Sequence, residues 1–259
     1  MNTTLRVDKE QMLNKVPRLT IYFWIIKIMA TTVGETMADL LSVKLNFGLI
    51  FASLVVGVLL LIALVIQLRS RKYVPWIYWV AVVLISVAGT LITDNLVENF
   101  GVPLWVTTVA FSVGLGVTFA AWYGVEKSLS VHTIKTTRRE LFYWSAILFT
   151  FALGTAGGDL LAEGAHLGYT YSALLFASSI ALVTLLHFKF GLNAVVAFWL
   201  AYILTRPLGA SLGDLMSQTP SNGGLGLGTI ATSTVFLLVI LGLVIFMTKR
   251  RENAEPARA

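Results

Sequence analysis

The sequence predicts an all-α integral membrane protein with eight transmembrane helices, arranged as four parallel two-helix repeats. Three observations predict it. The 259 residues are 57% hydrophobic and only 12% charged, with mean hydropathy +0.81, which excludes an ordinary soluble domain. Apolar runs of about 20 residues, the length that crosses a bilayer, recur along the whole chain. An aromatic–tryptophan pair, a glycine ten residues after the tryptophan and an aspartate fifteen after it occur together four times.

The apolar runs place spans near 18–41, 46–68, 75–96, 103–125, 141–163, 169–188, 191–215 and 227–248. They are continuous rather than alternating, which favours helices over a β-barrel. Pro17, Pro75 and Pro103 stand at or near first turns, where a missing N–H costs little. The polar start MNTTLRVDKEQMLNKVPR reads as a cytoplasmic segment, not a cleavable leader. With no cysteine there are no disulfides and no thiolate ligands.

Charge sets the orientation. Arg6, Lys9, Lys15 and Arg18 precede the first span. Arg69, Arg71 and Lys72, then Lys127, Lys135, Arg138 and Arg139, then Lys189, and finally Lys249, Arg250, Arg251 and Arg258 follow on the same side. The opposite loops hold Lys44 alone. The positive-inside rule therefore expects both termini in the cytoplasm. The net charge of +6 lies in these flanking segments and gives no basic patch for nucleic acid. The lipid bilayer is the expected partner, and the sequence assigns no oligomeric state.

The repeat unit is anchored by Trp24, Trp79, Trp144 and Trp199, each preceded by Phe or Tyr (Phe23, Tyr78, Tyr143, Phe198). Gly34, Gly89, Gly154 and Gly209 follow, then Asp39, Asp94, Asp159 and Asp214. Spacings of 55, 65 and 55 between tryptophans suggest a duplication of a duplication. The organisation expected is a segment 1–14, a first half 15–134, a second half 135–251 and a tail 252–259. Two spans per repeat keep every repeat in one orientation, so a pseudo-fourfold or nested twofold axis would run along the membrane normal. If the tryptophans form the cytoplasmic interfacial belt, fifteen helical residues, about 22 Å, put the aspartates near the outer interface. The glycines would permit close helix approach.

Asp39, Asp94, Asp159, Asp214 and Glu35 are the candidate metal ligands. Carboxylates at helix C-termini oppose the macrodipole and need a compensating partner, and charges within spans are functional candidates. Glu98 and Glu163 extend this acidic group into an outer mouth that would concentrate cations. Lys27 and Arg206 stand eight residues before Glu35 and Asp214, positioned as counter-charges or coupling groups. Lys27 is also a candidate proton carrier. Thr90 and Thr155, with Thr31, Thr32, Thr36, Ser211 and Asn95, are candidate neutral ligands. Met37 and Met216 would shift preference toward transition metals, although packing is their commoner role. His166 and His187 lack a second histidine at ligand spacing, so no zinc site is assigned. The Gly-rich stretch 217–228 lacks the lysine and strand–helix context of a phosphate loop, and no cofactor or catalytic constellation is expected.

The stretch KVPRLTIYFWIIKIMATTVGETMAD (15–39) resembles a bacterial multi-span family with the signature K-V-P-x-x-T-x-x-F-W-x-x-K-x-x-x-T-T-x-G-E-x-x-x-D. Lys15, Val16, Pro17, Thr20, Phe23, Trp24, Lys27, Thr31, Thr32, Gly34, Glu35 and Asp39 carry the match. The resemblance implies a multi-span fold and no particular chemistry.

The leading functional expectation is a secondary transporter of a divalent metal cation. Manganese is the first candidate, export is favoured slightly, and protons or the membrane potential would drive it through a carboxylate-lined site at the repeat interface. A cation channel with an aspartate selectivity ring is the second reading. The third is a proton-coupled organic cation exporter, which needs an aromatic-lined interior that interfacial tryptophans would not provide. A non-transporting scaffold or sensor ranks last, because it leaves the four aspartates unexplained. No enzymatic activity is expected.

Overall fold

Residues 14–254 are described in the computed structural model. Of the expected terminal segments 1–14 and 252–259, all but Asn14 and the last helical turn lie outside the described residues, as do the side chains of Arg6, Lys9, Arg251 and Arg258. Eight long helices carry the described chain. They are α1 (Ile21–Asp39), α2 (Gly48–Arg69), α3 (Pro75–Asp94), α4 (Leu104–Glu126), α5 (Thr137–Asp159), α6 (Tyr169–Phe190), α7 (Ala194–Ser217) and α8 (Thr229–Ala254). No strand occurs among the described residues.

Local sequence explains the helix ends. The side chains of Thr20, Thr136 and Asn193 accept from the first free backbone N–H groups of α1, α5 and α7. Pro75 occupies the first turn of α3, and Pro103 is the cap residue of α4. Gly191 ends α6 at φ 71, a left-handed conformation that glycine adopts without Cβ strain.

Seven of these helices, α2 to α8, are long and apolar enough to cross a membrane. Helix α1 has a comparable length but carries Lys27, Glu35 and Asp39 on one span. The buried share separates two classes. It is 72%, 56% and 67% for the apolar windows of α3, α5 and α7, against 22%, 11%, 17% and 22% for α2, α4, α6 and α8. Helix α1 belongs with the first class, since Lys27 through Ala38 is largely buried.

The first helices of the four repeats form an inner ring: α1 packs on α3, α3 on α5, α5 on α7, and α7 back on α1. Each outer helix covers the inner helix of the following repeat, with α2 on α3, α4 on α5, α6 on α7 and α8 on α1. The ring is therefore closed, with pseudo-fourfold symmetry and every seam of the same kind.

The repeated glycine explains the seams. The face of Gly34 receives Ser86, that of Gly89 receives Phe151, that of Gly154 receives Arg206, and that of Gly209 receives Thr31. These four partners share one repeat position, seven residues after the tryptophan. A Cβ at Gly89 would lie 2.8 Å from the Phe151 Cβ, which a packed interior does not tolerate.

Where the sequence suggests an interfacial belt, the repeat tryptophans pack against neighbouring helices. Trp79, Trp144 and Trp199 are 2%, 4% and 5% exposed, and each packs against the aromatic of the preceding repeat. Ring centroids lie 5.7 Å apart for Phe23–Trp79, 5.5 Å for Tyr78–Trp144, 6.3 Å for Tyr143–Trp199 and 5.8 Å for Phe198–Trp24. The pair fills the inner ring at one end: its two rings meet edge to face within each repeat, and tilted ring contacts cross the four equivalent seams. Tryptophans that stay exposed are outside the repeat unit, at Trp76 and Trp105.

Candidate functional site

Successive helical turns stack four equivalent residues from the inner helices above the aromatic end. Three residues after the tryptophan come Lys27, Val82, Ile147 and Tyr202; seven after it come Thr31, Ser86, Phe151 and Arg206. Eleven after it come Glu35, Thr90, Thr155 and Ala210, and fifteen after it the aspartates. Polar character rises toward the acidic end.

Arg206 is fully buried on α7, with Gly154 of α5 leaving room for its stem. Its Nη2, which has two N–H groups to share, lies within donor distance of three oxygens: Glu35 Oε2 on α1 at 3.1 Å, Thr155 Oγ1 on α5 at 2.7 Å, and Thr90 Oγ1 on α3. Its Nη1 donates to the Thr31 carbonyl at 3.3 Å. Glu35, Thr90 and Thr155 occupy the same repeat position, so one guanidinium collects the equivalent oxygen from the other three repeats. Arg206 thus stands at the pseudo-fourfold axis. A buried guanidinium is retained only when its charge and donors are matched, and Glu35, 6% exposed, supplies the charge.

Lys27 is also fully buried, and its Nζ finds no hydrogen-bond acceptor among the described residues. The ammonium instead lies 4.0 Å from the Phe151 ring centroid and 4.2 Å from that of Tyr202, where ring quadrupoles attract it. The two predicted counter-charges therefore differ: Arg206 pairs with a carboxylate, and Lys27 rests on aromatic faces.

Asp39, Asp94 and Asp159 end the regular α-helical parts of their inner helices, and Asp214 lies one turn before the end of α7. In the first three repeats a five-residue π-helical turn follows at once, over Leu40–Lys44, Asn95–Asn99 and Leu160–Gly164. Such widened turns recur at functional sites. The fourth repeat lacks it; α7 continues to Ser217, and the Gly-rich loop folds back along its end through Leu225 N to Leu215 O and Leu227 N to Met216 O. Asp39, Asp94 and Asp159 are partly exposed and Asp214 is buried. Asp39 accepts from Gln218 Nε2 at 3.3 Å. Glu35 and Asp39 each lie within electrostatic reach of the other aspartates.

The predicted ligands are thus gathered only in part. Among the described residues, no three of His, Asp and Glu stand close enough to hold a metal ion between them. Glu35, Thr90 and Thr155 do meet, but around Arg206. Glu98 and Glu163 are exposed beside the aspartates, with Glu163 accepting from the Tyr169 hydroxyl at 3.1 Å. Met37 packs against the core, and the Met216 backbone carbonyl anchors the loop. His187 Nδ1 meets the Leu192 carbonyl at 2.7 Å, and His166 is an exposed loop residue.

Sequence reasoning missed one buried network at the aromatic end. Lys15 Nζ pairs with Glu140 Oε2 at 2.6 Å and donates to the Leu68 carbonyl at 3.0 Å, while Gln67 Nε2 donates to Glu140 Oε1 at 2.9 Å. It ties the segment before α1 to α2 and α5. Glu140 follows two arginines and reads as an ordinary flanking charge, so no periodic signal marks it.

A repeat family described as Repeat of Unknown Function (DUF347) matches residues 22–73, 77–128, 142–192 and 197–253. Each match takes in one inner and one outer helix. No curated protein and no solved structure matches the chain.

Proposed function

Because the chain belongs to the DUF347 repeat family, whose description assigns no activity, we propose its function from geometry: it is a secondary transporter that moves a cation across a bacterial cytoplasmic membrane. The observation that carries this reading is Arg206, a cation held at the axis by the equivalent oxygens of three repeats. A cation entering from the acidic end meets Asp39, Asp94, Asp159 and Asp214 first. It then reaches the Glu35 level by competing with the guanidinium. Both termini face the cytoplasm in this reading, with the basic segments at the aromatic end. Rocking of the two halves would expose the site alternately, driven by protons or the membrane potential.

Oxygen ligands suit hard and borderline divalent metals, so manganese export is the first cargo to test. Growth and intracellular metal are compared in cells with and without the protein across Mn²⁺, Co²⁺, Ni²⁺, Zn²⁺, Fe²⁺ and Mg²⁺, with Asp94→Asn and Asp159→Asn as controls. Selective depletion of one metal that either substitution abolishes supports export. Accumulation reverses the direction, and no change for any metal removes the metal cargo.

An organic cation is the second reading, favoured by a specific observation. The Lys27 ammonium lies against Phe151 and Tyr202, the aromatic environment that organic cations require. The channel reading ranks behind both, because Arg206 and the aromatic end obstruct the axis.

A further inference from the structure

The oxygens around Arg206 define a ligand as well as an ion pair. We infer that Glu35 Oε2, Thr90 Oγ1, Thr155 Oγ1 and the Thr31 carbonyl form the innermost substrate site, that its substrate class is a small guanidinium cation, and that Arg206 occupies it as a tethered stand-in between transport events. The inference rests on the carrier reading above and names its cargo.

Charge and donor geometry carry it. The site offers one carboxylate, two hydroxyls and one carbonyl, all already bonded to a guanidinium. That set carries one formal negative charge and balances a monovalent cation. A divalent metal prefers several anionic oxygens in a closed shell, and no such group of three occurs among the described residues. Three of the oxygens, from three helices, surround the single nitrogen Nη2, and the Thr31 carbonyl takes the second arm, Nη1; it is this second arm that a planar fork reaches and an ammonium does not. The set is also separable from its present occupant. Arg206 Nε has no partner among the described residues, so the attachment to the site runs through the terminal nitrogens alone. Pro207 follows inside α7, where its missing N–H leaves the helix without one stabilising bond beside the arginine. Below the oxygens, Phe151 and Tyr202 provide a second surface for cations, occupied by Lys27.

The test reconstitutes the full-length protein in liposomes and reads transport currents on solid-supported membranes. Concentration jumps of guanidinium, methylguanidine and Mn²⁺ are applied at constant ionic strength, to the wild type and to Thr155→Val and Thr90→Val proteins that match it in size-exclusion profile. We expect saturable guanidinium and methylguanidine currents, with half-saturation raised about tenfold or more by either valine, the loss of one charged hydrogen bond. Should one valine variant fail to assemble, the other gives the same reading. Currents with Mn²⁺ alone overturn the guanidinium class and leave the carrier standing. No current with any cation overturns both. Guanidinium currents that neither valine alters overturn the assignment to this site.

Discussion

The inner ring has two ends that solve the same problem in opposite ways. At the aromatic end, four equivalent positions are filled by rings that pack on one another around the seam. Neutral rings can be repeated four times without conflict, because each contact gains the same dispersion attraction and brings no like charges together. At the acidic end, the repeated residue is a carboxylate, and repetition brings like charges together. Packing cannot resolve that, so the symmetry breaks: Arg206 replaces a small or aromatic residue, Glu35 replaces a hydroxyl, and Gln218 reaches Asp39. Symmetry marks where the protein stores its stability, and asymmetry marks where it has something to do.

Breaking the comparison begins with Arg206→Ala. It leaves Glu35 buried without its partner, at a cost of about 3–5 kcal/mol, read as thermal unfolding in detergent. Adding Glu35→Ala should recover much of the loss. A double variant no better than the single would show that the acidic end is not governed by this pair. Next comes Gly89→Val at a seam. Its side chain meets Phe151, and overpacking should cost about 1–3 kcal/mol, whereas Gly116→Val, with open space around it, should cost less. Equal losses at the two glycines would remove the seam argument.

Tyr78→Phe is a milder probe of the aromatic end. It deletes a 2.5 Å hydroxyl contact with Tyr143 and keeps both rings, so about 1 kcal/mol is expected. Asp94→Asn should have the smallest effect on stability, within about 1 kcal/mol, since it removes one of several mutually repelling charges. Its transport should nevertheless fall to background, as measured by the same currents. An active Asp94→Asn protein would mean that the acidic end is not on the transport route.

The repeat, the eight helices and the candidate cations were all legible in the sequence, because periodicity and hydropathy report helices directly. Register was legible too: counting from each tryptophan already aligns Glu35 with Thr90 and Thr155. What periodicity does not contain is which helix meets which. The handing of each knob to the preceding repeat's glycine needs three dimensions, and so does the meeting of Arg206 with Glu35, 171 residues apart. The inward packing of the tryptophans was not legible for a related reason. Their large apolar area suits an interfacial belt and a protein interior equally, and only the neighbouring repeat decides between them. Lys15 and Glu140 stayed hidden because both sit among other charged residues near helix ends.

The closed ring also limits the kinds of molecule from which it could be assembled. Seams that run head to tail and close after four steps are those of a cyclic oligomer of identical two-helix units. Four identical copies would each have contributed an arginine where Arg206 now stands. That would crowd four like charges around one point, with a repulsion that low dielectric makes severe. A single guanidinium facing a single carboxylate and two hydroxyls requires four units that can differ in sequence, and joining them in one chain allows this. Fusion is therefore what lets the ring hold one guanidinium and one carboxylate at its axis in place of four of each.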